Sequence, residues 1–373
     1  LYAPMVHTLA AATFTGWLFA GASWTEALTI AVAVLIITCP CALALAVPAI
    51  QVAASARLFA QGTLVKAADG LERIAEADTV AFDKTGTLTL AMPSLANADE
   101  IGDETLRSAG AIAANSLHPY AKAVADAARM RFGNLTITDS VTETPGAGLL
   151  RKSEAGEERL GSAAWCGRGD DEESASLWYV PLEGAAVAFH FADRLRPGAA
   201  EAVQALEAAG FAVELLSGDR EEPVAAAALA AGIKNWRAHM RPQDKIARLR
   251  ELRAGGARVL MVGDGLNDAP ALAAAHASLS PASAASISQT ASDAVFQHAS
   301  LLAVVELLAT SRQARKMAFQ NFAMALGYNL IFVPLAMAGY VTPLIAAIAM
   351  STSSIAVTAN AIRLRTMRLG LKS

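Results

Sequence analysis

Charged residues are almost absent from two long stretches of this 373-residue chain. No Lys or Arg precedes Arg57, and residues 317–362 contain no charged residue at all. A membrane-spanning helix needs about 20 apolar residues, and each stretch is long enough for two. The pattern predicts one hairpin of spans near 4–22 and 27–50, and a second hairpin within 317–362.

Basic residues flank both uncharged stretches on the side of the more polar middle of the chain. Because Lys and Arg mark the cytoplasmic side of membrane helices, we expect both hairpins to open toward the cytoplasm. The middle of the chain then lies in the cytoplasm. The alternative is a soluble enzyme with two buried core hairpins, but uncharged stretches of this length are rare in soluble folds.

Cysteine is also scarce, with three residues in the chain. Three cannot build a disulfide framework. Cys39 and Cys41 are too close in sequence for an unstrained bridge, and Cys166 stands alone, so a reducing, cytoplasm-facing protein is expected. The net charge of −4 gives no indication of a nucleic-acid partner. The chain starts without Met or a signal-peptide pattern, which predicts that it begins within a longer protein.

The middle of the chain contains three apolar runs that each end in a polar loop: TVAFDKTGTLT, AVELLSGD and RVLMVGDGLND. Helical stretches separate the last two, a pattern typical of a doubly wound parallel sheet. Such sheets bind their ligands at the carboxyl ends of the strands, where these loops fall. Residues 93–193 differ in texture, include the acidic run GDDEES, and are predicted to form an inserted domain.

The polar loops carry residues suited to phosphoryl transfer. Asp83 ends the first run and Asp264 the third, and two opposed carboxylates suit Mg²⁺. From its position alone Asp83 is a metal ligand, a base or a nucleophile. Transfer also needs positive charge and donors near the phosphoryl group, for which Lys245 and Ser217 are the candidates. The chain has no GxxxxGK[ST] loop, so a P-loop ATPase is not supported.

The second predicted span carries Cys39 and Cys41 on either side of Pro40. On an unbroken helix their side chains would point about 200° apart. Pro40 lacks an N–H and disturbs the preceding turn, and Pro48 is a candidate for a second break. An opened helix would let both sulfurs face one cavity, and polar groups at membrane depth mark functional sites. A redox pair is the alternative, but thiol partners have little access to the bilayer interior.

The motifs DKTGT, SGD, PQDK and GDGLND, in this order, resemble those of the P-type ATPases, a branch of the haloacid dehalogenase superfamily. The resemblance implies that ATP phosphorylates Asp83. Soluble relatives place a general acid/base Asp where this chain has Thr85, so the acyl phosphate should persist here. Catalytic roles are implied for Asp83, Lys84, Thr85, Ser217, Gly218, Asp219, Lys245, Asn267 and Asp268. Magnesium ligation is implied for Asp83, Thr85 and Asp264.

The inserted domain carries a His-Pro pair and a GxG loop that together resemble the nucleotide-binding domain of the heavy-metal subgroup. The resemblance implies ATP binding by His118, Pro119, Glu143, Gly146, Gly148 and Gly161. The subgroup often reads Ser-Glu-His-Pro, and Leu117 stands here in place of that Glu. Cys166 is expected to be structural.

The polar groups of the spans resemble the copper class of these pumps. The set comprises Cys39, Cys41, Tyr328, Asn329, Met350 and Ser354. Thiolate and thioether ligands favour Cu(I), with Ag(I) as the alternative ion, although Met350 taken alone would be ordinary core filling. Zinc and cadmium relatives place a Lys and an Asp in the last two spans, and 317–362 contains neither. LYAPMVH, SGDR and PLIAAIAMSTSS resemble the bacterial subtype that supplies copper for cbb-type cytochrome oxidase assembly.

The predicted architecture is mixed. It combines transmembrane α-helical hairpins, a cytoplasmic α/β haloacid-dehalogenase-like phosphorylation domain and an inserted α+β nucleotide-binding domain. The predicted boundaries are 1–56 and 306–373 for the hairpins, 57–92 with 194–305 for the phosphorylation domain, and 93–193 for the insertion.

The resemblance implies an ATP-driven Cu(I) exporter of the bacterial inner membrane, with a copper-delivering chaperone as a partner. No TGE loop occurs, so the chain is predicted to be the C-terminal part of a pump whose actuator domain and first spans lie elsewhere. The alternatives are a membrane-anchored phosphatase of the haloacid dehalogenase type and a non-catalytic copper-binding scaffold.

Overall fold

The computed structural model describes residues 2–135, 140–154, 156–168, 177–264, 268–284 and 286–371. The helices are α1 Tyr2–Phe19, α2 Trp24–Ile37, α3 Cys41–Ala60, α4 Gly70–Glu76, α5 Asp103–Ala113, α6 Pro119–Phe132, α7 Ala199–Ala208, α8 Glu221–Ala231, α9 Pro242–Ala254, α10 Ala269–Ala274, α11 Ser286–Ala291, α12 Leu302–Met337 and α13 Pro343–Arg363. The strands are β1 Thr63–Val65, β2 Thr79–Asp83, β3 Thr89–Leu95, β4 Val141–Thr144, β5 Gly148–Ser153, β6 Gly156–Gly161, β7 Leu177–Val180, β8 Val187–Phe189, β9 Phe191–Leu195, β10 Ala212–Leu216, β11 Asn235–Arg237, β12 Val259–Val262, β13 Ala277–Pro281 and β14 Ala294–Phe296.

Within the described residues, three helical segments are long and apolar enough to cross a membrane: Trp24–Ala60, Leu302–Met337 and Pro343–Arg363. The span predicted at 4–22 is helical, as α1, but is not among them. Pro4, His7 and several threonines lower the mean hydropathy of α1. The helix nevertheless contacts α2, and Trp17 Nε1 donates to the carbonyl of Met337 at 2.9 Å.

The segment Trp24–Ala60 is interrupted between α2 and α3, where Pro40 was expected to open the helix. The Thr38 N–H still bonds the carbonyl of Val34, but Pro40 has no N–H to continue the ladder, and a new helix starts at Cys41. The possible second break at Pro48 is not found, because α3 runs on through that residue. The bundle therefore has one break in this segment, at the cysteine pair.

The α/β part of the chain is built on a seven-stranded sheet in the order β1-β14-β13-β12-β2-β10-β11. All neighbours are parallel except β1 and β14. Every residue of β2 and β12 is buried, as expected for central strands covered by helices on both faces. Because β2 lies between β12 and β10, its carboxyl end is flanked by the loops that follow those two strands.

Residues 98–189 pack around a separate apolar core. Helices α5 and α6 cover a five-stranded antiparallel sheet in the order β4-β5-β6-β7-β8, with Leu106, Val124, Leu160 and Phe189 in the shared core. The antiparallel pair β3–β9 joins this unit to the seven-stranded sheet. The chain thus leaves and re-enters the sheet domain through adjacent strands.

The membrane bundle and the sheet domain share one apolar core. Helix α12 is 36 residues long, and Val304 and Leu307 in its first part pack into the cluster that contains Phe82 of β2. At the other contact, Arg57 of α3 donates to the carbonyls of Leu364 at 2.9 Å and Met367 at 2.7 Å. The same helices that line the bundle therefore reach the sheet directly.

Candidate functional site

Asp83 lies at the carboxyl end of β2, in contact with charged groups from the neighbouring loops. Lys245 of α9 donates to Asp83 Oδ1 at 2.5 Å and to Asp268 Oδ1 at 2.6 Å. Carboxylate oxygens of Asp83, Asp264 and Asp268 all lie within 4.8 Å of one another. The parallel register brings together residues that are up to 185 positions apart in the chain.

The electrostatics of this cluster depend on burial. Burial raises the pKa of Asp83 to about 7; Lys245 opposes the rise, and repulsion from Asp268 and Asp264 adds to it. Burial, with repulsion from Asp268, raises the pKa of Asp264 to about 6. Burial lowers the pKa of Lys245, but Asp83 and Asp268 outweigh it and hold the ammonium above its ordinary pKa. Three crowded carboxylates with one lysine are short of positive charge, so the donor set fits a bound divalent cation.

The turn after Asp83 is shaped by a glycine at positive φ. Gly86 has φ +72°, and a Cβ at this position would lie 1.4 Å from Asp264 Oδ2. Arg196 holds the turn through its carbonyls, since Nε donates to Thr87 O at 2.7 Å and Nη2 donates to Gly86 O. The buried Thr87 hydroxyl has no partner among the described residues. Only glycine permits the backbone at this position to approach Asp264 so closely.

Lys84 and Thr85 point toward a second group of carboxylates. Lys84 is buried and pairs with Asp193 and, at 2.6 Å, with Asp219. Thr85 Oγ1 lies 3.4 Å from Asp219 Oδ2. Burial lowers the pKa of Lys84, but the two carboxylates raise it by more, so the pKa lies above its ordinary value. Lys84 therefore links the loop after β10 to β9, the strand that leads back from the inserted unit.

The loop after β10 supplies the predicted SGD residues. Ser217 is buried, and its hydroxyl accepts from the Asp219 N–H at 3.2 Å. Gly218 follows, and a Cβ at this position would lie in tight contact with Met240 O, at 3.2 Å. Asn267, predicted to be catalytic, lies outside the described residues.

A cavity of about 280 Å³ lies in the inserted unit. Its lining includes Ser116, His118, Tyr120, Glu143, Gly146, Gly148 and Gly161. Pro119 does not line it; that residue starts α6 at a position where no N–H is needed. Ligand pockets typically span about 300–1,000 Å³, so the cavity suits part of a nucleotide, such as its base and sugar.

The glycines predicted for this cavity allow two strands to pack closely and the chain to make a tight turn. Gly148 and Gly161 face each other across β5 and β6, and a Cβ on either would lie within 2.7 Å of the Trp165 ring. Gly146 has φ +76° in the turn before β5. Side chains at these positions would therefore push the strands apart or strain the turn.

Ser116 was not predicted from the sequence, and it connects two predicted residues. Its hydroxyl donates to Glu143 Oε1 at 2.8 Å and accepts from the His118 N–H at 3.0 Å. Leu117, which replaces the subgroup's Glu, is exposed. A serine two positions before His118 gave no signal by itself, because its partner Glu143 is distant in sequence. Asp193, Arg196 and Tyr120 were missed for the same reason.

In the bundle, the break at Pro40 brings the two cysteines together. The structure places Cys39 and Cys41 side by side, joined as a disulfide, with Cα atoms 5.5 Å apart. The reason is the break itself, because without a continuous helix the two side chains can turn to the same side. Both sulfurs therefore face one direction within the bundle.

Two apolar clusters bracket this break along the bundle. The outer cluster contains Ile37 of α2, Ala336 of α12 and Ala346 of α13. The cytoplasmic cluster contains Ala42 and Ala46 of α3, Ala325 of α12 and Val357 of α13. Every predicted ion-binding residue lies between these clusters on its own helix, so the clusters place all of them at a similar depth.

Two polar atoms between the clusters are buried without partners. Neither Tyr328 Oη nor Asn329 Oδ1 has a hydrogen-bond partner in the part of the chain that the structure describes. Met350 and Ser354 are half-buried, one turn apart on α13. Unpaired buried polar atoms are costly, and such atoms at a shared depth indicate a place where a ligand binds.

Comparisons with known proteins agree with this geometry. Residues 77–276 match the family of haloacid dehalogenase-like hydrolases. The chain belongs to this family. The match covers the inserted unit and strands β2, β10, β11 and β12 of the seven-stranded sheet, and it confirms the predicted haloacid dehalogenase-like domain.

Curated relatives match this haloacid dehalogenase-like chain over nearly its whole length. "Nitrogen fixation protein FixI" of Rhizobium meliloti (strain 1021) is 47% identical over 367 residues, which are 98% of this chain and 48% of that protein. "Probable copper-exporting P-type ATPase V" of Mycobacterium tuberculosis (strain ATCC 25618 / H37Rv) is 35% identical over 98% of this chain and 50% of its own length. The chain spans about half the length of the curated relatives it matches.

A solved structure is similar over nearly the whole chain. The crystal structure of a zinc-transporting PIB-type ATPase in the E2.Pi state matches with a TM-score of 0.78 at 30% identity, over 98% of this chain and 62% of that chain. The predicted fold class, with membrane helices beside a haloacid dehalogenase-like domain, is therefore confirmed.

We predict that Gly86→Ala strongly reduces the ATP-dependent phosphorylation that the sequence predicts at Asp83. The added Cβ collides with Asp264 Oδ2, and a displacement of about 1 Å in a reacting site costs on the order of 100-fold. ATP-dependent ³²P labelling measures the effect. Gly232→Ala is the matched control, because Gly232 also has positive φ but no neighbour within 4 Å. Equal labelling of both variants would contradict the prediction.

We further predict that Ser116→Ala weakens ATP binding about tenfold, since hydrogen bonds to charged groups contribute about 1.5–3 kcal/mol. Without the hydroxyl, Glu143 and the His118 backbone lose their common partner. Displacement of a fluorescent nucleotide by ATP gives the affinity. Ser153→Ala, in the same unit but outside the cavity, should bind ATP normally; an unchanged affinity for Ser116→Ala would refute the role.

Proposed function

We propose that this chain carries the phosphorylation and ion-binding parts of a pump that uses ATP to export Cu(I) across a bacterial inner membrane. The observation that carries the proposal is the layer of sulfur, hydroxyl and amide groups between two apolar clusters of an uncharged bundle. The relative from Mycobacterium tuberculosis described above, a probable copper-exporting P-type ATPase, supports it.

The ion site is proposed to consist of the reduced thiolates of Cys39 and Cys41 with groups from α12 and α13. Tyr328 and Asn329 contribute oxygen atoms that have no described protein partner. Met350 adds a thioether, and Ser354 lies one turn below it. Soft sulfur ligands favour a monovalent soft ion. The absence of acidic residues from 317–362 argues against a divalent ion.

The catalytic step is proposed to be attack of an Asp83 carboxylate oxygen on the γ-phosphorus of ATP. A bond forms between that oxygen and phosphorus, and the bond to the bridging oxygen breaks, so its electron pair leaves with ADP. Lys245 neutralises charge beside Asp83, and the buried Ser217 hydroxyl lies at the same sheet edge. Such positioning and charge stabilisation account for most phosphoryl-transfer catalysis.

Magnesium fits this site. Asp83 and Asp264 would hold the ion, which would polarise phosphoryl oxygens as a Lewis acid. The Thr85 side chain, proposed as a further ligand, is directed at Asp219 instead, with its hydroxyl 3.4 Å from Asp219 Oδ2. Lys245 keeps Asp83 and Asp268 oriented through its two hydrogen bonds.

The position of Thr85 favours a pump over a membrane-anchored phosphatase. A phosphatase of this superfamily needs a carboxylic acid two residues after the nucleophile, to activate water against the acyl phosphate. The Thr85 hydroxyl has no comparable basicity. The phosphorylated form should therefore live long enough to couple to helix movement. A copper-delivering chaperone on the cytoplasmic side is the proposed donor of the ion.

We predict that the chain incorporates acid-stable, hydroxylamine-sensitive ³²P from [γ-³²P]ATP, and that Asp83→Asn removes it. The amide is isosteric with the carboxyl group but does not form an acyl phosphate. Asp78→Asn serves as the control, since Asp78 lies before the same strand and outside the cluster. Labelling that persists in Asp83→Asn would overturn the assignment of the nucleophile.

We also predict that Cys39→Ala and Cys41→Ala each weaken Cu(I) binding by about 100-fold or more. Even outer-sphere partners of metal ligands typically cost about 10–100-fold, and a lost thiolate should cost at least as much. Competition with a chromophoric Cu(I) chelator under reducing conditions measures the affinity. Cys166→Ser should bind normally, because Cys166 lies in the inserted unit and donates to Trp178 O at 3.3 Å; normal binding by both alanine variants would exclude the proposed site.

A further inference from the structure

A buried chain of side-chain amides lies one layer below the proposed ion site, on its cytoplasmic side. Asn321 of α12 is fully buried and Asn360 of α13 is 8% exposed. Asn360 Nδ2 donates to Asn321 Oδ1 at 2.8 Å, and Arg363 Nη1 donates to Asn360 Oδ1 at 2.9 Å. No sequence motif discussed above includes these two asparagines.

Asn321 also reaches two backbones on other helices. Its Nδ2 donates to the carbonyl of Ala46 in α3 at 3.1 Å and to that of Val357 in α13 at 3.4 Å. One carboxamide therefore joins the three helices that carry Cys41, Tyr328 and Met350. Buried amides of this kind persist only where their hydrogen bonds are made.

The hydrogen bonds argue against ion ligation by these asparagines. The amide nitrogen of Asn321 is used by two carbonyls, and its oxygen accepts from Asn360. The oxygen of Asn360 accepts from the Arg363 guanidinium, whose positive charge would disfavour a cation nearby. The network is therefore better suited to holding helices than to binding the transported ion.

Its position sets the depth of the proposed ligands. A helix rises about 1.5 Å per residue. Cys41 precedes Ala46 by about 7 Å along α3, and Tyr328 follows Asn321 by about 10 Å along α12. Met350 precedes Val357 by about 10 Å along α13. All three groups thus lie in one layer above the amides, on the side away from Arg363.

The apolar clusters cannot fix this layer by themselves. The cytoplasmic cluster consists mainly of alanines, and small apolar contacts permit one helix to slide along another. Hydrogen bonds to particular carbonyls do not permit sliding, because a shift of one residue breaks them. In lipid, where no water replaces a lost partner, this restriction is strong.

We propose that Asn321 and Asn360 form a carboxamide clamp, defined by these two residues and the carbonyls of Ala46 and Val357, that holds the ligands of α3, α12 and α13 at a common depth. The asparagines are positioning residues of the ion site and not ligands. This inference rests on the proposed function, since it assumes that the layer above the clamp binds a soft cation.

The test measures Cu(I) affinity and coordination in the purified, detergent-solubilised chain. Asn321→Leu removes both tethers and the link to Asn360. Asn360→Leu removes that link and the hydrogen bond from Arg363 but leaves both tethers, and so is expected to disturb folding less. Thr358→Val is the matched control, because Thr358 is exposed and its hydroxyl, among the described residues, bonds within α13 to Ser354 O at 2.9 Å. Cu(I) from a chromophoric chelator is the probe, and helical circular dichroism together with ATP displacement of a fluorescent nucleotide checks that each variant is folded.

Asn321→Leu is expected to weaken Cu(I) binding about tenfold, from the loss of interhelical hydrogen bonds, and Asn360→Leu less. The double variant should bind no more weakly than Asn321→Leu, because the two residues act as one unit. X-ray absorption should show fewer sulfur neighbours around copper in Asn321→Leu, a change that lower stability alone would not produce.

Unchanged affinity and coordination in Asn321→Leu with normal nucleotide binding would overturn the clamp. An equal loss in Thr358→Val would overturn it too. If instead Cys39→Ala leaves Cu(I) binding unchanged, the proposed function fails first, so the two failures are separable. If Asn321→Leu does not bind nucleotide, Asn360→Leu decides: normal affinity and coordination would overturn the clamp, and a measurable loss would support it.

Discussion

The buried ion pairs of Lys245 with Asp83 and Asp268 are the interaction on which the catalytic end of the molecule depends. Three carboxylates within 4.8 Å of one another would repel strongly in a dry sheet edge. Lys245 offsets part of that repulsion at 2.5 Å and 2.6 Å, while burial, with a smaller contribution from the neighbouring carboxylates, still raises the pKa values of Asp83 and Asp264. Breaking such a buried pair typically costs about 3–5 kcal/mol, so the site is held together by the same charges that are proposed to perform its chemistry.

The membrane bundle also depends on buried groups that need partners, but there they are polar and uncharged. In the span Trp24–Ala60 the backbone opens at Pro40, and the cost of an open helix is tolerable only where protein surrounds it. Apolar clusters above and below the opening supply that protein contact. The unpaired oxygens of Tyr328 and Asn329 lie in the same interval. The break in the helix and the proposed ion ligands therefore lie at the same depth in the bundle.

Helix α12 connects the two ends physically. Its first part packs in the core beneath β2, and its second part carries Asn321, Tyr328 and Asn329. Arg57 adds a second connection, because it ties the end of α3 to the carbonyls that end α13. A change at Asp83 therefore has a continuous packed route to the ligand layer, through elements that are rigid along their length. Lys84 provides a separate link toward the inserted unit through Asp193 and Asp219.

The amino-acid sequence by itself determined the local features of this protein. The order of the strand-end motifs predicted the parallel sheet and the grouping of Asp83, Lys245 and Asp264, because carboxyl ends of parallel strands share one edge. The missing N–H of Pro40 predicted the helix break at the cysteines. These inferences succeeded because each rests on a property of a few adjacent residues or on a general rule of sheet topology.

Only the tertiary structure decided the contacts between distant side chains. Pro48 was a candidate break, yet α3 continues through it, and α3 packs against α12 and α13. The pairing of Cys39 with Cys41 depended on how the opened backbone turns. Ser116 with Glu143, Arg196 with the Gly86 turn, and Asn321 with the Ala46 carbonyl join positions that are far apart in the chain. Hydrogen bonds of this kind depend on orientation within about an ångström, which folding sets and residue order does not encode locally.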